Sequence, residues 1–152
     1  DISSRELLEF HLLRLSEMVG RRTRQGGFAS MTVALTIRYK DFTTFTRQRS
    51  VPSAVCESPE IFHVAKSILS SIRLQQAVRL LGVSLSNLIK PSGQLPLFPE
   101  RQRAQAITRA MDAVNSRYGD FTLTFGSLLA LEEHEGVIAP AWRLHGPRRI
   151  EF

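Results

Sequence analysis

Residues 31–40, Met-Thr-Val-Ala-Leu-Thr-Ile-Arg-Tyr-Lys, alternate with a period of two. Val33, Leu35, Ile37 and Tyr39 point one way; Thr32, Thr36, Arg38 and Lys40 point the other. A half-buried strand satisfies that pattern, because successive side chains of a strand leave opposite faces. The chain is thus held to a sheet with one covered face and one open face.

A second strand is expected at about 43–51, where Thr44, Thr46, Gln48 and Ser50 alternate with Phe45, Arg47, Arg49 and Val51. Two arginines share parity with Phe45 and Val51. A bulge or a twisting strand end is expected to turn them off the core side. Short hydroxyls mixed with Arg and Lys suit phosphate contact, and they equally suit an ordinary polar sheet face. Residues 76–89 predict a third strand, with Leu81, Val83 and Leu85 on one face and Gly82, Ser84 and Ser86 on the other. A face of Gly and Ser lets another backbone, such as a nucleic-acid strand, approach closely.

Helices separate these strands. Residues 3 to about 25 open with Ser3 and Glu6 as a capping box, and Ile2 is placed to staple onto Leu7. Leu8, Leu12, Leu15 and Val19 make one buried stripe. Arg21, Arg22 and Arg24 fall in the last turn before Gly26-Gly27, where they complement the dipole; they suit a solvated helix end and also suit phosphate contact. Ser58-Pro59-Glu60 opens another helix, with Ser58 as cap and Ile61, Ala65, Ile68 and Ile72 on its buried face. The order is α-β-β-α-β, and the strand–helix–strand passage predicts a right-handed crossover and a parallel pair. One strand upstream of residue 1 would complete βαββαβ. The expected fold class is α+β, a two-layer α/β sandwich with both helices on one face and the other face free to bind.

The 152 residues suit one domain with an appendage. A chain that opens on Asp1, directly at a helix start, reads as cut from a longer protein. Cys56 is the only cysteine, which excludes an internal disulfide and fits a reducing cytosol, so a cytoplasmic location is expected. His11, His63, His134 and His145 are scattered without ligand spacing, so no metal site is expected. No apolar run reaches the roughly 18 residues of a membrane span, and no membrane partner is expected. Residues 1–90 carry 13 Lys and Arg against 7 Asp and Glu, while 91–152 carry 7 of each. The whole excess of +6 therefore lies in the first part. It suits either a polyanionic partner, most simply nucleic acid, or a generically basic domain.

Lys90-Pro91-Ser92-Gly93 breaks the chain. Gln94-Leu95-Pro96-Leu97-Phe98 follows, too short for a strand or a helix. It suits packing within its own fold, or a tethered plug for another protein's groove. Beyond it, 100 to about 118 predicts a helix with Ala104, Ile107, Met111 and Val114 along one side. Phe121, Leu123 and Phe125 predict a strand, and Trp142 is expected to anchor the tail. The organisation expected is a sandwich domain at 1–90, a linker with the peptide at 91–99 and an extension at 100–152.

The blocks Thr32 to Thr44, Thr46-Arg47-Gln48-Arg49 and Val78 to Ser86 together resemble the C-terminal little finger domain of Y-family DNA polymerases, most of all the bacterial DNA polymerase IV branch. The resemblance covers about residues 1–98, and Gln94 to Phe98 falls where that family carries its sliding-clamp-binding peptide. It implies a domain that grips duplex primer-template DNA by its phosphates. The candidate contacts are Arg38, Lys40, Thr46, Arg47, Arg49, Arg79, Ser84 and Ser86. For the clamp, Gln94 would hydrogen-bond, with Leu95 beside it and Leu97 and Phe98 as anchors. Position 84 is Ser where a basic residue is common in the family. The family's catalytic carboxylates and their magnesium belong to a palm domain absent from these residues. No catalytic residue or cofactor is therefore expected here, and the polymerase activity would belong to the parent. Two other readings compete: a clamp-tethered, non-catalytic polymerase-like adaptor, and a stand-alone RNA-binding module. The second is weakened because Tyr39 and Phe45, the candidate base-stacking aromatics, have core-like parity.

Overall fold

A computed structural model describes residues 1–91, 93 and 98–129. Gln94, Leu95, Leu97 and Trp142 lie outside the described residues. The elements run α1 (Arg5–Gln25), β1 (Ala29–Tyr39), β2 (Thr44–Val55), α2 (Ser58–Ser71), β3 (Val78–Ile89), α3 (Pro99–Tyr118) and a short 3-10 turn at Gly126–Leu128. The three strands form one sheet in the order β2-β1-β3, with β1 antiparallel to both neighbours. β2 and β3 do run the same way, as a strand–helix–strand passage requires. They are not the adjacent pair the sequence predicts, because β1 lies between them. At the start of β3, Ile2 and Val78 exchange both backbone hydrogen bonds at 2.8 Å. Ile2 is thus engaged in pairing with Val78.

Helices α1 and α2 cover one face of the sheet. Val33, Leu35, Ile37 and Tyr39 of β1 meet Leu8 and Leu12 of α1 and Ile61, Ala65, Ile68 and Leu69 of α2 in a single core. The N-cap of α1 is Ser4, one residue later than expected, and its hydroxyl accepts from the Leu7 N–H. The buried stripe of α1 begins as predicted with Leu8 and Leu12. It then continues through Ser16, Gly20 and Thr23, with Val19 half-buried against the core as predicted and Leu15 outside it. Close approach is the reason: a methyl added at Gly20 would stand 3.0 Å from the Ser58 hydroxyl and 3.2 Å from the Cys56 carbonyl. Helix α2 is preceded by Glu57 at its N-cap, and Ser58 is buried instead of capping.

Arg24 does not end α1 in solvent. Its guanidinium pairs two-pronged with Asp112 of α3 at 2.7 and 2.9 Å, and donates to the Cys56 carbonyl at 2.7 Å. Arg21 pairs with Asp120 and donates to Ser116 at 3.3 Å. Thr108 donates to Glu57 at 2.5 Å, and Thr124 donates to the buried Glu17 at 2.7 Å. Helix α3 therefore docks by a polar side. Thr108, Asp112 and Asn115 are half-buried or buried; of the predicted apolar side, Met111 and Val114 are half-buried and Ala104 and Ile107 are exposed. The strand expected at Phe121 to Phe125 does not form. The Asn115 side chain takes both the N–H and the C=O of Leu123 at 2.8 Å, the groups a strand partner would need. Phe121 adopts a φ of 63° there.

Two outcomes follow from this docking. Arg24→Ala breaks a largely buried ion pair whose Asp112 partner keeps some solvent. We expect a loss of about 2 kcal/mol in urea denaturation, with hydrogen-exchange protection falling in α3 and persisting in β1. Burial pushes the Glu17 carboxyl above its ordinary range, against the Thr124 hydrogen bond and the charges of Arg24 and Arg21. The folded state then holds the Glu17 proton to higher pH than the unfolded chain does. Stability is lost as pH rises from the unfolded pKa through the folded one. Glu17→Gln should accordingly raise Tm at pH 7, and the gain should vanish below about pH 4, near the unfolded carboxyl pKa.

Candidate nucleic-acid interface

The face of the sheet opposite the helices is built from four cross-strand rows. Reading β2, β1, β3, they are Ser50-Thr32-Ser86, Gln48-Ala34-Ser84, Thr46-Thr36-Gly82 and Thr44-Arg38-Leu80. Most positions are hydroxyls, Ala or Gly, so the surface is low and donor-rich. Thr36 and Thr46 share a hydroxyl hydrogen bond at 2.9 Å, and Asn87 donates to Thr32 at 2.9 Å. Gly82 lies beside Thr36 with ordinary spacing, 3.7 Å from an added methyl to the Thr36 Cβ, so it leaves a shallow gap in the surface.

Cations gather at one end. Arg38 Nε donates to the Thr44 hydroxyl at 2.8 Å, which orients the guanidinium and leaves its terminal nitrogens without a protein partner among the described residues. Lys40 is exposed in the β1–β2 turn, held by its N–H to the Ala77 carbonyl at 3.1 Å. Arg79 is the extra residue where the β1–β3 register shifts between Arg38 and Tyr39. It lies 4.0 Å from the Asp1 carboxylate. In the same turn the Asp41 carboxyl is held below its ordinary range by hydrogen bonds from the Gln76 amide and the Thr43 N–H.

Of the eight residues singled out from the sequence, Arg38, Thr46, Ser84 and Ser86 share the open face, and Lys40 and Arg79 sit at its turn end. Arg47 and Arg49 do not join them. They stand opposite Leu35 and Val33, on the helix side of β2, and pairing there is regular from Thr44 to Ser50. The expected turn of these arginines to the other face does not occur. The register shift comes later, where Val51 to Ala54 bulge opposite Met31 around Pro52. β2 is an edge strand, so its helix-side arginines reach solvent past α2 without changing face. Arg49 donates to Ser67 at 2.8 Å, and Arg47 lies 5.6 Å from the Phe45 ring centre.

Tyr39 and Phe45 pack on the helix side with ring centres 5.5 Å apart, so neither offers a stacking surface on the open face. Burial pushes the Cys56 thiol up to about 11, which makes it a poor nucleophile at neutral pH. Phe98, described from the peptide, is the N-cap of α3 and is 64% exposed.

Residues 1–97 match the impB/mucB/samB family C-terminal domain, and the chain belongs to that family. Similar proteins carry the name DNA polymerase IV. The one from Dehalococcoides mccartyi (strain BAV1) is 33% identical over 135 residues, 88% of this chain and 35% of the relative. Those from Pelotomaculum thermopropionicum and Moorella thermoacetica are 36% and 34% identical over 114 and 122 residues. They cover 74% and 79% of this chain and 28% and 30% of the relatives. The chain thus spans about a third of the length of the curated relatives it matches. The 88% coverage exceeds what residues 1–97 alone provide, so the similarity extends into the α3 region.

Proposed function

We propose that this chain is the DNA-gripping and clamp-tethering C-terminal domain of a translesion DNA polymerase. The observation that carries the reading is the open sheet face, with hydroxyl rows ending at Arg38, Lys40 and Arg79. Hydroxyls donate to phosphate oxygens at short range, and arginine donates two bonds at once. Such contacts hold the sugar–phosphate backbone and ignore base identity. Membership of the family and the relatives' shared name support a DNA-directed polymerase as the parent, with nucleotidyl transfer and its magnesium placed in other domains. None of the residues described here is assigned a catalytic role.

The clamp contact rests on the residue types of Gln94, Leu95, Leu97 and Phe98, and on the exposure of Phe98. An exposed aromatic beside Leu97 in sequence is suited to filling an apolar pocket of a partner, as buried anchors do at interfaces.

Duplex affinity should fall steeply with salt. Arg38→Ala should lower the slope of log K against log salt by roughly one and weaken all duplex sequences alike. Duplex binding unchanged between low and high salt would overturn the phosphate grip. For the tether, the Leu97→Ala, Phe98→Ala double variant should lose binding to a bacterial sliding clamp in surface plasmon resonance while keeping the duplex affinity of the parent chain. Equal clamp binding by both proteins would remove the peptide from the proposal.

A further inference from the structure

We propose that Phe42, at the tip of the β1–β2 turn, makes an apolar contact with the deoxyribose edge of the duplex, beside the phosphates met by Lys40 and Arg79. The inference rests on the phosphate-grip reading and extends it to a residue outside that set of contacts.

Three observations converge on this side chain. The first is conformational. Phe42 has a φ of 68°, a region that bulky side chains rarely enter. Hydrogen bonds on every side hold it there. The Phe42 N–H donates to the Tyr39 carbonyl at 3.0 Å, and Tyr39 N–H donates to Thr43 at 2.9 Å. The Thr44 hydroxyl donates to the Phe42 carbonyl at 3.1 Å, and Asp41 accepts the Thr43 N–H at 2.9 Å. A turn fixed this firmly would be relieved by Gly or Asn at position 42. A phenylalanine there costs backbone strain without filling the core.

The second observation is exposure: 64% of Phe42 faces solvent. The third is its setting. The Arg79 guanidinium lies 4.9 Å from the ring centre, over one face, and leaves the rest of the ring to an outside partner. The Thr44 hydroxyl that binds the Phe42 carbonyl also accepts from Arg38. The ring is thereby tied to the same rigid turn that orients the cations. An apolar plate set among Arg38, Lys40 and Arg79 complements a polyanion whose charged oxygens alternate with apolar sugar C–H groups. The Asp41 carboxylate of the same turn and Asp1 beside Arg79 offset part of this charge, but the three cations outnumber them and favour nucleic acid over an apolar protein pocket.

The test is duplex binding across a salt series by the whole 152-residue chain. Phe42→Gly suits the backbone and should leave Tm within about 5 °C of the parent. Its duplex affinity should fall about tenfold, the effect of exposing part of an aromatic ring. The salt slope should stay unchanged, because no phosphate contact is lost. Phe42→Tyr should restore affinity. Isotope-filtered NOEs from the Phe42 ring of the unaltered chain to deoxyribose protons supply a reading independent of any substitution. Parent-like affinity of Phe42→Gly, a fall in salt slope alongside affinity, or absence of those NOEs would each overturn the role of Phe42 while the phosphate grip stands. An unaltered chain with no salt-dependent duplex binding would overturn both.

Discussion

The burial of one side of β1 governs this structure. Val33, Leu35 and Ile37 are fully buried, and the strand is hydrogen-bonded on both edges. Each such side chain contributes about 1.5–3 kcal/mol by leaving water. A slip of one residue would exchange them for Ala34, Thr36 and Arg38 and put an unpaired guanidinium under the helices. Register is thereby locked, and with it the four rows of the opposite face. The surface proposed to bind is the geometric complement of the surface that folds.

A second constraint lies at the end of α1. Arg24 bridges α1, the β2–α2 junction and α3 through Asp112, the Cys56 carbonyl and Ser58. Close approach at Gly20 makes room for this cluster. It holds α3 on the sandwich with mostly polar contacts, to which the Arg14 guanidinium adds a stacking contact 5.1 Å from the Phe121 ring centre. Phe98 precedes α3 directly, so the docking of that helix also fixes where the described end of the peptide leaves the body.

Much of the fold was legible because it rests on local periodicity. The three strands, both packed helices and α3 appear where the pattern of apolar residues places them. Failures fall where a long-range partner outranks local pattern. The inner stripe of α1 passes through Gly20 because packing distance, not hydrophobicity, selects it. Phe121 to Phe125 alternates like a strand, but Asn115 takes the backbone groups of Leu123 first. Of the candidate site, Arg38, Thr46, Ser84 and Ser86 follow from parity alone. Arg47 and Arg49 required knowledge that β2 is an edge, where a charge reaches water without leaving the helix side. Phe42 carries no signal in sequence, because its interest lies in a backbone angle and in the position of Arg79.

The sequence by itself determined that a strand at 31–40 would carry a core face and a polar face, since period-two alternation is a property of neighbouring residues. It also determined that the excess positive charge would lie ahead of residue 91. Only the tertiary structure decided that β1 is central, that β2 and β3 flank it, and that Arg38, Lys40 and Arg79 collect at one end of the open face. It also turned Arg21 and Arg24 of the α1 terminus from a solvated end into the anchor of α3, while Arg22 stays exposed. Strand order and ion pairing are set by contacts between residues far apart in the chain. Asp112 and Arg24 meet through the global packing, and nothing in the segment around either residue specifies the other.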